Sequence, residues 1–164
     1  MHWYPVVKLL HIFAVIVAVG GLFARQLLRT YAEKASDIRA FAEFSRAAGH
    51  VERLMVIPGM NAVLLFGVIL ALIGGFPIFG FLQGASQNWL LLSNLLLVGV
   101  LVIIPAVFIP RGKKCAPILD AALAKGEITP ELRAAMGDKI VRLAHWYEEI
   151  AVIAIAALMV LKPF

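Results

Sequence analysis

Hydrophobic residues in this chain come in long runs, with the charged residues gathered between them. A helix crosses a hydrocarbon core of about 30 Å with about 20 mostly apolar residues. Three runs meet that length: about Trp3 to Phe23, about Leu54 to Ile73, and about Trp89 to Ile109. A fourth is shorter, since its apolar part, Ile150 to Leu161, reaches only about 18 Å at 1.5 Å per residue. To cross, it must include the residues before it, so the fourth span is expected at about 145–162. His145, Glu148 and Glu149 are thereby drawn towards the bilayer. The pattern predicts an all-α integral membrane four-helix bundle, a single domain over residues 1–164.

The connections carry helical signals of their own. Ile38, Phe41 and Phe44 recur at every third position among charges between Thr30 and Ala48. That spacing predicts an amphipathic interfacial helix. Thr129-Pro130-Glu131 reads as an N-cap, a first-turn proline and an acidic first turn. The helix it starts is expected to run through Ile140 into the fourth span. Pro58 frees the Leu54 carbonyl and predicts a kink in the second span. Pro110 and Arg111 predict the end of the third. Ala14, Ala18 and Gly21 offer a small-residue face that a neighbouring backbone or a flat ring could approach. The two halves share a plan, but no residue-level repeat relates them.

Composition excludes the soluble classes. At 62% hydrophobic residues and a mean hydropathy of +0.93, a soluble domain of this size could not bury its apolar surface. The first run is too long for a signal-peptide core, has no A-x-A site, and is followed rather than preceded by basic residues. It is expected to be retained. Thirteen of the 15 Lys and Arg residues lie between Arg25 and Arg53 or between Arg111 and Arg142, and none between Gly74 and Asn88. By the positive-inside rule both basic loops are cytoplasmic and both termini outside, in a multi-pass protein of the bacterial inner membrane. The net charge of +5 then describes topology and contact with anionic lipid, and nucleic acid is not an expected partner. Cys115 is the only cysteine, so no intramolecular disulfide forms. It is expected to be a free thiol, with palmitoylation as the alternative.

Ionisable groups at membrane depth are costly, so each needs a partner or a task. At 1.5 Å per residue His11 lies roughly 10 Å below the outer surface, level with Asn94. Lys8 and Lys162 fall near the outer interface, where they can snorkel. An inner layer holds His50, Glu52, Arg53, His145, Glu148 and Glu149. Glu149 lies four residues after His145, shares its helical face, and is expected to orient the imidazole. Two histidines on neighbouring helices can ligate a b-type haem from both sides, which pairs His50 with His145. Plainer roles stand beside these. His50 and His145 could face headgroups, Glu148 and Glu149 could reach the cytoplasm with Arg142, and His11 could bond Asn94 or a carbonyl. Met60 suits a gap-filling core role better than a soft-ligand one. His2 is assigned no role. HExxH, CxxC, P-loop and dinucleotide fingerprints do not occur.

Several motifs resemble a known family. Lys8-x-x-His11, then Gly21-Leu22-Phe23 and a downstream arginine, resembles the first helix of the HemJ family of membrane protoporphyrinogen oxidases. Val51-Glu52-Arg53-Leu54, followed by Ile57-Pro58-Gly59-Met60, resembles its second-helix signature. Trp89 at the start of the third span and Lys162-Pro163-Phe164 also match, so the resemblance covers all four spans. The family's Asn-Glu-x-Pro is replaced by His145-Trp146-Tyr147-Glu148-Glu149, the basic loops are longer, and His50 is additional. The chain therefore looks closer to a family of predicted integral membrane proteins related to HemJ and to the CopD copper-export domain.

The resemblance implies haem b, with His11 as the required histidine and Lys162 as the matching C-terminal lysine. These two are the candidate catalytic residues. Depth arithmetic instead favours the inner pair, and about 20 Å along the normal separates His11 from His145, too far for one haem. The candidate cofactor-binding residues are His11, His50, His145, Glu149 and Arg53, with the three histidines as iron ligands. The expected function is electron transfer or oxidoreduction linked to a quinone or a porphyrinogen. The alternatives are a copper or cation permease of CopD type, and a non-catalytic subunit of a membrane complex or homo-oligomer.

Overall fold

The apolar runs fold as helices that continue well beyond the hydrocarbon they are long enough to cross. A computed structural model describes residues 3–164; His2 lies outside the described residues. The elements are α1 (Trp3–Lys34), α2 (Ile38–Val51), α3 (Ile57–Gly74), α4 (Trp89–Ile103), α5 (Ile109–Lys125), α6 (Pro130–Met136) and α7 (Lys139–Leu161). A π-helical turn, Glu52–Val56, joins α2 to α3, and a second, Ile104–Phe108, joins α4 to α5. A 3₁₀ turn at Gly80–Gln83 lies between α3 and α4. Four helical stretches are long and apolar enough to cross a membrane: Trp3–Lys34, Ile38–Gly74, Trp89–Lys125 and Pro130–Leu161. The protein is an all-helical, multi-pass integral membrane bundle.

The backbone oxygen of Phe164 accepts from the amides of Asn88 and Trp89, at 2.9 and 3.2 Å. This closes one end of the bundle, called here the terminal end. The two basic connections form the other, basic end.

Several expected boundaries move, each for a local reason. The first helix does not stop at Phe23, because Arg25 is itself packed inside the bundle. The amphipathic helix begins at Ile38 rather than Thr30, where the Asp37 carboxylate caps the Ala40 amide. Its Ile38 and Phe41 do not lie on lipid but are buried with Ala122 of α5 and Leu132 of α6. Pro110 does not end its helix, and Pro58 lies within the second span as expected. Each lies just after a π-helical turn, a feature that accommodates a missing backbone donor without breaking the rod. Thr129 caps α6 as expected, its hydroxyl accepting from the Leu132 amide at 3.2 Å. That helix ends at Met136, however, and the Asp138 carboxylate starts α7 by accepting from Ile140 and Val141. Arg111 holds the same carboxylate at 2.8 Å and ties α5 to the start of the fourth span.

Consecutive spans pair, α1 against α3 and α4 against α7. The first pair meets through backbone. A Cβ added to Gly59 would lie 2.9 Å from the Ala18 Cα, so only glycine permits this approach. Ala14, Ala18 and Gly21 are all buried, as their small-residue spacing predicts. Between the pairs lies an apolar plug of Ala18, Leu22, Val56, Met60, Leu97, Val100 and Ala151. Met60 is the core residue its plainer reading expects. Large apolar side chains such as Leu9, Phe13, Leu65, Leu95 and Ile153 remain exposed and form the lipid-facing belt.

Candidate functional site

On the basic side of that plug the helices enclose a polar clamp. Arg25 of α1 is only 4% exposed, and its guanidinium faces both halves of the bundle. Nη1 donates to Glu52 Oε2 at 2.5 Å, and Nη2 donates to Glu148 Oε2 at 2.6 Å. Glu148 is 0% exposed and Glu52 21%. His145 Nδ1 lies 3.1 Å from the same Glu148 oxygen. Nδ1 also lies 3.1 Å from Arg25 Nη2, so this ring nitrogen stands between a carboxylate that accepts and a guanidinium that donates. The Phe108 ring stacks on the imidazole with centroids 4.4 Å apart, and Arg25 lies 5.7 Å from the Phe108 centroid. Both π-helical turns thus deliver a member of the group, Glu52 from one and Phe108 from the other. A guanidinium fork matches two carboxylates where a lysine would hold only one well. The His145 Nε2 is buried without a partner and the residue lines a cavity of about 350 Å³.

On the terminal side the chemistry is sparser. A cavity of about 480 Å³, walled mainly by aliphatic residues, is lined also by Lys8, His11, Met60, Asn94 and Lys162. The His11 Nδ1 is buried without a hydrogen-bond partner. Its ring packs over Gly67, where an added Cβ would lie 3.2 Å from the imidazole Cε1. Lys162 adopts a left-handed backbone conformation at φ 45° as it ends α7. Its ammonium stands 5.0 Å from the Phe76 ring centroid and 5.2 Å from that of Trp89. Asn94 donates to the Ile78 carbonyl at 3.4 Å, so it holds the connecting loop and not His11.

The four residues assigned by depth to an outer layer, Lys8, His11, Asn94 and Lys162, therefore line one cavity. The inner candidates separate. His145 is buried, whereas His50 and Arg53 lie exposed on the α2 side of the bundle. The carboxylate that bonds His145 is Glu148 at i+3, not Glu149 at i+4; Glu149 lines the basic-end cavity instead. Arg25 is the functional residue that charge counting misses, because it reads as the first cytoplasmic charge. A signal was present: Ala14, Ala18, Gly21 and Arg25 share one helical stripe, and so do Ala144, Glu148 and Ala151. Among the described residues, no three His, Cys, Asp or Glu side chains gather as they would to hold a metal ion. Cys115 is a free thiol with its sulfur 3.9 Å from that of Met136.

No curated protein and no solved structure matches the chain. A family model does, over residues 5–163, and its description names no cofactor or reaction. With nearly every residue covered, the chain belongs to the family of predicted integral membrane proteins called DUF2269.

Proposed function

We propose that the terminal-end cavity holds a b-type haem with His11 as its iron ligand, and that the protein acts in membrane electron transfer or oxidoreduction. One observation carries the reading. The His11 Nδ1 is buried, has no partner, and belongs to a residue lining an apolar cavity of about 480 Å³. Cofactor sites have this form, mostly apolar walls with a few placed polar groups. The donor set fits: neutral imidazole is a common metal ligand, and Gly67 leaves the ring room where a side chain would crowd it. Lys8 and Lys162 are cations at the same cavity and suit the carboxylates of such a ring. Phe76 and Trp89 hold the Lys162 ammonium in place. A bound haem supplies one-electron chemistry. His50 and His145 drop out as a ligand pair because one is exposed and the other is tied to the clamp.

Electron donors of the quinol or porphyrinogen class fit the resemblance to HemJ. With the basic end cytoplasmic, as its Lys and Arg excess indicates, the haem lies nearer the outer face. The test is a dithionite-reduced minus oxidised spectrum of protein purified from haem-replete cells. The expected result is a b-type α-band, lost in His11→Ala and kept in His50→Ala. Colourless wild-type protein overturns the reading.

A further inference from the structure

We infer that the basic-end cavity is a second, separate binding site, which takes a hydroxyl-bearing phosphate ester of the phosphoglycerol kind. Two residues that line it carry buried polar atoms without partners, His145 Nε2 and Gln26 Oε1. His145 is only 6% exposed, and its Nδ1 is occupied by Glu148 on the clamp side. Nε2 is therefore the ring atom left for the cavity. Leaving buried polar atoms unpaired is costly, so the natural occupant carries hydroxyls, which both donate and accept.

That occupant is not a cation. Arg29, Arg133 and Arg142 line the same cavity, against the carboxylates of Glu33 and Glu149. The balance is one positive charge in excess, and a guanidinium fork matches phosphate oxygens bidentately. Hydroxyls beside an anion describe a polyol phosphate: hydroxyls for His145, Gln26 and the two glutamates, phosphate for the arginines. Trp146, 59% exposed and lining the cavity, is the kind of side chain that settles at a headgroup level. The source of this chemistry is either a phosphatidylglycerol headgroup or a free glycerol phosphate.

Because His145 also serves the clamp, the variants are Gln26→Leu and Arg142→Gln, both outside it. Protein in phosphatidylcholine nanodiscs is doped with phosphatidylglycerol or with phosphatidylmethanol, which keeps the phosphate but has no free hydroxyl. Lipid retained by the protein is read by native mass spectrometry. The expected result is about tenfold preference for phosphatidylglycerol, the size of a lost hydrogen bond to a charged or buried group. Gln26→Leu removes the preference, and Arg142→Gln lowers retention of both anionic lipids. In a second arm sn-glycerol 3-phosphate is titrated into phosphatidylcholine nanodiscs by calorimetry. Binding there that Gln26→Leu weakens, without lipid preference, supports the same site with a soluble source. Equal retention of the two anionic lipids together with no glycerol phosphate binding overturns the inference.

Discussion

At the basic end Arg25 meets two carboxylates and lies 3.1 Å from an imidazole nitrogen, whereas at the terminal end His11 meets no partner for its buried nitrogen. Both ends carry histidine on a helix that crosses the bundle. The difference lies in what surrounds the ring. His145 has a carboxylate beside it, an aromatic face under it and a guanidinium across the helix interface. His11 has aliphatic walls, the Val63 backbone, a glycine and two cations at the same cavity. A buried charge needs opposite charge beside it, and Arg25 meets it in Glu52 and Glu148, so the clamp joins α1 to α7. An apolar cavity beside an unpaired buried nitrogen has the form of a ligand site, which is the ground for the function proposed. The same residue type therefore takes part in a charged clamp at one end and, as proposed, holds a cofactor at the other.

The comparison breaks first at Arg25. Arg25→Ala leaves Glu148 buried and uncompensated, and is expected to cost about 3–5 kcal/mol. Thermal unfolding in detergent measures this, and the pair Arg25→Met with Glu148→Leu should recover most of the loss. An unchanged melting temperature in Arg25→Ala would mean the clamp does not hold the halves together. Gly59→Ala probes the plug between the ends. Its Cβ would lie 2.9 Å from the Ala18 backbone, so α1 and α3 must part, at about 1–3 kcal/mol.

At the terminal end the sign reverses. His11→Leu, in protein free of ligand, removes an unpartnered buried nitrogen and is expected to stabilise by about 1 kcal/mol. Destabilisation of similar size would place His11 with the structural residues and remove the contrast. Lys162→Gln is the smallest change, losing the contacts with Phe76 and Trp89 for about 0.5–1 kcal/mol. The same melting series resolves it when it is measured against Lys8→Gln, whose ammonium has no such ring partner among the described residues.

The residues of the terminal cavity were legible because depth along a helix is simple arithmetic. His11, Asn94, Lys8 and Lys162 share a level, and four packed helices bring one level together. The basic end was less legible. Positive residues after an apolar run signal orientation so strongly that Arg25 reads as a loop charge. Its place on the stripe of Ala14, Ala18 and Gly21 is the evidence that it turns inward. Glu149 was favoured over Glu148 for His145 because i+4 and i+3 lie on nearly the same face. Which of them faces a neighbour depends on where that neighbour stands.

Four apolar stretches, their separation by basic connections and the small-residue face of the first were determined by the sequence itself. Each follows from the cost of apolar surface in water and of charge in lipid, which act residue by residue. Helix ends across Pro58 and Pro110, the burial of Arg25, and the choice of Glu148 were decided only in the tertiary structure. The reason is physical. Pro58 and Pro110 are tolerated in their rods beside a π-helical turn, and Arg25 is tolerated inside because two carboxylates from elsewhere in the chain reach it. The arginine's partners lie 27 and 123 residues away along the chain, and no local pattern contains them.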